Sequence, residues 1–291
     1  MKWNNNPTMK IKYIGLSIIV VIVVFAFIYC GNSASIEGLD GFGSALYFSI
    51  VTITTLGFGD MFPKDGFART MVCLEVLAGV VFVGVFLNSI AQAQTQRLHY
   101  LNEKAKLRQH YLLLSKLFEK YLQAAFYVVT PWEKQELPAD ILSYKFNFTF
   151  NDMADLNATP RYLSSQLNSS AVSIYFEIHD RLYQELRHTV DNVDLSYWSS
   201  LETNIHHFMQ QCSDFTHKDV ILVNTIVAPF DDPNQSRPVI VSKLIRDHAG
   251  TFSMDPKDQK TPYVALYNML KGNTTLVQNI AVEMARENAV G

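Results

Sequence analysis

The amino-acid sequence predicts an all-α membrane protein, with two transmembrane helices, a short re-entrant segment between them and a mostly helical water-soluble domain behind. Three observations carry this. Residues 11–95 contain two long apolar runs broken by few charges, a shorter apolar run lies between those two, and residues 96–291 return to the charge density of an ordinary soluble domain. The chain of 291 residues is 48% hydrophobic and 18% charged as a whole, and that average conceals the division. Its length allows about two domains.

The first run, Ile11 to Cys30, carries one charge at its edge, and about 20 residues at a rise of about 1.5 Å span roughly the thickness of a hydrocarbon core. Lys2, Lys10 and Lys12 precede it and "NSAS" follows, as in a cleaved leader. A leader's apolar region has only about 7 to 15 residues, and Tyr29 beside Cys30 is a poor small-residue cleavage pattern. The run is therefore read as a span. The second, Phe67 to Ala93, is long enough to cross with some tilt. Basic residues lie before the first span and, as Arg97, Lys104, Lys106 and Arg108, after the second, whereas Glu37, Asp40 and Asp60 lie between. This asymmetry predicts cytoplasmic termini on both sides of the pair.

The apolar portion between the spans, Ala45 to Leu56, has about a dozen residues, too few to cross, so it enters and leaves on one face. Irregular backbone at membrane depth is tolerated only where protein or a watery cavity satisfies it. The segment Thr55-Leu56-Gly57-Phe58-Gly59 is accordingly expected to line a pore. Glycines at alternate positions adopt backbone angles closed to other residues, so successive carbonyls can face one axis. Four such strands would replace the hydration shell of a cation. Thr55 would add its hydroxyl at the inner end, Leu56 and Phe58 would turn back into packing, and Asp60 would stand at the outer mouth.

Thr54 to Asp60, "TTLGFGD", with Pro63 following, resembles the selectivity-filter signature of potassium channels, with "TLGFG" for the commoner "TVGYG". The order of span, pore helix, filter and span is similar to the two-transmembrane-segment pore module of that family, over roughly residues 10–95. The resemblance implies a homotetramer in a lipid bilayer that passes K+ as its permeant ion and needs no cofactor. It implies K+ sites at Thr55, Leu56, Gly57 and Phe58, with Gly59 completing the filter. It also places a gating hinge at Gly79, twenty residues beyond Gly59. A glycine inside a helix costs about 1 kcal/mol relative to alanine, which a hinge or a close helix contact explains equally. Gly84 reads as packing alone.

Val80, Val83, Leu87 and Ala91 recur at helical spacing and are expected to line the cavity below the filter, with Asn88 as the polar residue near that stripe. Asn88 reads foremost as an interhelical hydrogen-bonding group. Phe58 lacks the hydroxyl that ties the filter to the pore helix in many relatives, and Val51 stands where some bacterial members have a glutamate. Glu75, one turn before Gly79, is the candidate replacement brace, near Tyr47 or the pore-helix threonines, with a purely structural carboxyl as the other reading.

The net charge of −3 and the absence of any basic block argue against a nucleic-acid partner. Cys30, Cys73 and Cys212 fit no metal or disulfide spacing. No catalytic constellation stands out, and enzyme activity is not expected. "GLDGFGSA" lacks the spacing of a phosphate loop and reads as the turn into the pore helix. Asn-x-Ser/Thr triplets at Asn147, Asn157, Asn168, Asn234 and Asn273 fall on the predicted cytoplasmic side, where glycosylation is not expected.

The expected domains are a pore domain over 1–95 (spans about 11–30 and 67–93, pore helix about 44–55, filter 55–59), a cytoplasmic helical linker over 96–130, and a mostly helical cytoplasmic domain over 131–291, expected to regulate or assemble the pore. In the linker, Leu101, Ala105, Leu112, Phe118, Leu122 and Ala125 suggest a rough apolar face. "VILVNTIV" and "PVIVSKLI" fit strand or helix, and "SYKFNFTF" alternates like a strand. No glycine-rich nucleotide fingerprint follows Ala93, and the regulatory ligand or partner of this domain stays unnamed. The function expected is K+-selective conduction. A weakly selective cation channel and a membrane-tethered tetrameric interaction protein are the alternatives.

Overall fold

The computed structural model describes residues 7–162, 169–226, 236–250, 252 and 255–289. The architecture is all-α. Among the described residues the strands are the two-residue pieces β1 (Ile36–Glu37) and β2 (Phe62–Pro63), paired antiparallel with Ile36 opposite Pro63. The chain divides into two compact units, with the boundary between Leu101 and Asn102.

In the first unit, α1 (Pro7–Gly31) and the start of α3 (Gly66–Val129) contain the two stretches long and apolar enough to cross a membrane. Between them lies α2 (Gly41–Ile53). It begins and ends earlier than the predicted 44–55, because the glycines of "DGFG" are taken into its first turn and Thr54 caps it. Helices α1 and α2 meet through Ala26 and Ala45, both fully buried, whose small side chains let the backbones approach. Tyr29 and Phe48 cross edge to face beside them, ring centroids 5.1 Å apart. The ribbon β1–β2 ties together the two ends of the segment that contains α2, reinforced by the Lys64–Glu37 ion pair and by the Lys64 amide donating to Ser35 O at 2.8 Å. The other faces of α1 stay apolar and open within the subunit, as at Leu16, Ile19 and Phe27. A helix that is apolar all round needs lipid or other protein about it.

In the second unit the continuation of α3 packs among α4 (Ala171–Asn192), α5 (Ser199–Asp214) and α8 (Thr261–Ala289), with α6 (Lys218–Val223) and α7 (Arg237–Arg246) completing it. The buried stripe of α3 is Glu103, Leu107, Leu114, Phe118, Tyr121 and Ala125. Phe118, Leu122 and Ala125 are buried as read from the sequence, whereas Leu101, Ala105 and Leu112 are exposed. Those three lie on another face at 100° per residue. Glu103 is buried because it accepts from Lys106 at 2.7 Å and from the Asp194 amide at 2.9 Å. Of the two ambiguous apolar runs, "PVIVSKLI" lies within α7 and "VILV" of the other lies in α6, which ends at Val223 in a turn, and "SYKFNFTF" forms no strand. Its neighbourhood is held instead by Gln278, whose amide donates to Leu142 O and Tyr144 O at 2.9 and 2.7 Å. Of the glycosylation triplets, Asn168 and Asn234 lie outside the described residues, and Asn273 is fully buried.

Candidate functional site: the loop after helix α2

Helix α2 stops at Ile53 for a local reason. The Thr55 amide donates to Thr52 O at 3.0 Å and the Leu56 amide to Val51 O at 3.0 Å, the paired bonds of a Schellman ending. That motif requires a left-handed residue after the cap. Thr55 fills the place with φ of 58°, the sole non-glycine residue with positive φ among those described. Threonine there costs about 1 kcal/mol or more relative to glycine.

Left-handed geometry then recurs at alternate positions, with φ of 54° at Gly57 and 79° at Gly59. A strand that alternates hand at every residue turns each successive peptide the same way, unlike a β-strand, whose carbonyls point to opposite sides. Leu56 and Phe58 remain 60% and 65% exposed in the single chain, so most of each side chain is left unpacked. Thr54 Oγ1 donates to Ile50 O at 2.5 Å, and Thr55 Oγ1 to Thr54 O at 2.7 Å. At the outer end Tyr47 hydrogen-bonds to Asp60, linking α2 to the residue just past the glycines.

Glu75 on α3 is fully buried. It does not meet Tyr47 or the threonines of α2. Its partners are Tyr29 of α1, whose hydroxyl donates to Oε2 at 2.6 Å, and Ser49 of α2, which bonds to Oε1. Ser49 also donates to Ile22 O at 3.0 Å. One carboxyl group thus joins all three helices. The partners differ from the expectation because Tyr47 is taken by Asp60, while Ser49, two residues on, occupies the opposite face of α2.

Gly79 is buried where α3 crosses the end of α2. A Cβ there would strike the Ile53 carbonyl oxygen and come within 2.9 Å of Ile53 Cγ1. Close approach alone accounts for glycine at this position. Gly84, by contrast, meets nothing within 4 Å in the subunit. Val80, Val83, Leu87, Asn88 and Ala91 all lie exposed along α3.

Residues 16–96, which lie within the first unit, match the family described as Ion channel; the match does not reach the second unit. The named relatives are more particular. The chain is 32% identical over 107 residues to two-pore potassium channel 1 of Arabidopsis thaliana, covering 36% of this chain and 30% of that protein. It is 33% identical over 112 residues to probable potassium channel protein 2 of Methanocaldococcus jannaschii, covering 36% and 31%. A shorter stretch of 47 residues is 49% identical to two pore potassium channel b of Oryza sativa subsp. japonica, covering 16% and 14%. The aligned portion thus spans less than a third of each of these relatives. No solved structure matches. The matched families are ion channels and not enzymes.

Proposed function

We propose that four copies of this chain assemble in the cell membrane as a potassium-selective channel. K+ would pass through a file of carbonyl oxygens from Thr55, Leu56, Gly57 and Phe58, bounded by Gly59. The observation that carries this reading is the alternation of left-handed backbone at Thr55, Gly57 and Gly59 directly after a short apolar helix. One strand cannot surround an ion, and Leu56 and Phe58 stay mostly exposed in a single chain, so symmetry-related copies are expected on both counts. The C-terminal end of α2, with its partial negative charge, adjoins the first of these residues and favours a cation there. Asp60, held by Tyr47, would stand at the external mouth.

In this reading both spans cross the bilayer and both termini are cytoplasmic, as the basic residues flanking them favour. Val80, Val83, Leu87, Asn88 and Ala91 would face the inner cavity, Gly79 would serve both as packing contact and as the point about which α3 bends, and the second unit would regulate or assemble the pore. Similarity to proteins named as potassium channels supports the choice of ion.

The reading is tested by recording purified protein in planar bilayers with K+ on one side and Na+ on the other. A reversal potential close to the K+ equilibrium value is expected. A reversal near zero would replace this reading with a weakly selective cation pore, and absence of current from a folded tetramer would favour an assembly role.

A further inference from the structure

The second unit contains a groove whose lining departs from the character of the chain. It lies beside α3 and α4, encloses about 630 Å³, and falls in the size range of small-molecule sites. Leu137, Ile174 and Ile178 make it apolar, Tyr127 adds a ring, and Lys120 and Arg161 supply positive charge. No carboxylate lines it among the described residues. The adjoining depression shares Lys120 and adds Lys116 and Arg181 against the single carboxylate of Glu185. In a chain of net charge −3, cations are thus gathered at one concave, half-apolar place.

The walls are fixed without a ligand. Gln135, 7% exposed, donates to Tyr127 O and Thr130 O, each at 3.2 Å, and accepts from the Arg161 amide at 3.0 Å. The Trp132 indole donates to Thr159 O at 3.1 Å, and the Arg161 guanidinium lies over its ring, 5.8 Å from the centroid. These bonds hold the end of α3 against the segment that brings Arg161. Burial, and then the nearby Tyr162, raise the Tyr127 phenol above its ordinary value, so that it stays neutral. Two exposed cations beside an apolar wall match an organic anion, whose charge they complement and whose body covers the wall, better than a bare inorganic anion, which leaves the wall wet.

We propose that this groove binds an organic anion, its phosphate or carboxylate group between Lys120 and Arg161 and its apolar, ring-bearing body against Tyr127, Ile174 and Ile178. The site would give the second unit a ligand independent of the permeant ion.

The test is isothermal titration calorimetry of the full chain in lipid nanodiscs with 1-naphthyl phosphate, using 1-naphthol and inorganic phosphate as separate halves of the probe. Saturable binding of 1-naphthyl phosphate is expected, with each half binding at least tenfold more weakly. Lys120→Glu should weaken binding by tenfold or more and Lys120→Gln by less, while Lys243→Glu on α7 leaves it unchanged. Lys120 is exposed, and unchanged circular dichroism of its variants would separate lost binding from lost fold. No saturable binding to the folded wild type overturns the proposal, as does equal binding by Lys120→Glu or by 1-naphthol. The heat is read whether or not the pore conducts, so this result and the bilayer recording stand or fall separately.

Discussion

The Tyr29 hydroxyl donates a 2.6 Å hydrogen bond to the Glu75 carboxyl, joining α1 to α3 across 46 positions of sequence at the back of α2. Ser49 occupies the other carboxyl oxygen. Its single hydroxyl proton has two acceptors in reach, Ile22 O and Glu75 Oε1. When that proton goes to Ile22, the proton between Ser49 and Glu75 has to come from the carboxyl group itself.

Glu75→Gln is therefore expected to be well tolerated. Its amide nitrogen can donate to Ser49 while its oxygen accepts from Tyr29. Glu75→Ala strands the buried Tyr29 hydroxyl, at about 1–3 kcal/mol for the group left unpaired, leaves Ser49 only Ile22 O, and opens a cavity between the three helices. Thermal stability of the purified assembly should fall little in the first variant and strongly in the second, with Tyr29→Phe between them. Equal losses in the Gln and Ala variants would show that a permanently charged carboxylate is required.

Gly79→Ala is expected to be severe and Gly84→Ala mild within the subunit. The methyl group at Gly79 runs into the backbone of Ile53, two residues before Thr55, and backbone yields less readily than a side-chain tip. A cost of about 1–3 kcal/mol is typical of such overpacking. Melting curves of the two variants should separate by several degrees, and conduction by any surviving Gly79→Ala assembly should be altered through displacement of Ile53.

His179 gives the second unit a pH dependence of definite sign. It is packed among Tyr121, Tyr175 and Phe208, with Nε2 3.2 Å from Cys212 Sγ. Burial lowers it from 6.5 to about 4, with Asp180 opposing the shift and Lys218 adding to it. Between those values the unfolded chain binds a proton that the folded chain refuses. Stability is then complete above about pH 6.5 and is lost as pH falls toward 4, by about 3 kcal/mol at most. His110, lowered by burial and by His188, acts in the same direction. Denaturant melts between pH 7.5 and 4.5 should show this slope in the wild type and a shallower one in His179→Phe; an equal slope in both would remove His179 from the account.

The long apolar helices and the positive-φ glycines were legible because their signals are local. Apolar length marks α1 and the start of α3, and glycine spacing marks Gly57 and Gly59. The left-handed turn at Thr55 was not legible, because the Schellman ending usually announces itself with glycine and here places a threonine. Nor were the partners of Glu75. Nothing in the sequence around Tyr29 marks it as a partner, and only the crossing of α1, α2 and α3 brings it to the carboxyl. In α7 the run "PVIVSKLI" buries Val241 and Ile245 and exposes Val239 and Ile240. That is an i, i+4 choice which four adjacent apolar residues cannot declare. The groove beside Lys120 unites residues from three separated segments and has no motif to find.

The central claim is that main-chain oxygens held by alternating backbone hand select and carry K+, and Gly57→Ala tests it most directly. Alanine at φ of 54° costs about 1–2 kcal/mol in every subunit and opposes the turn that aligns the carbonyls. Rubidium uptake into liposomes, with sodium as competitor, should be robust and sodium-resistant for the wild type and nearly abolished, or no longer selective, for a Gly57→Ala tetramer of unchanged assembly. Uptake by that variant at the wild-type rate and selectivity would contradict the account.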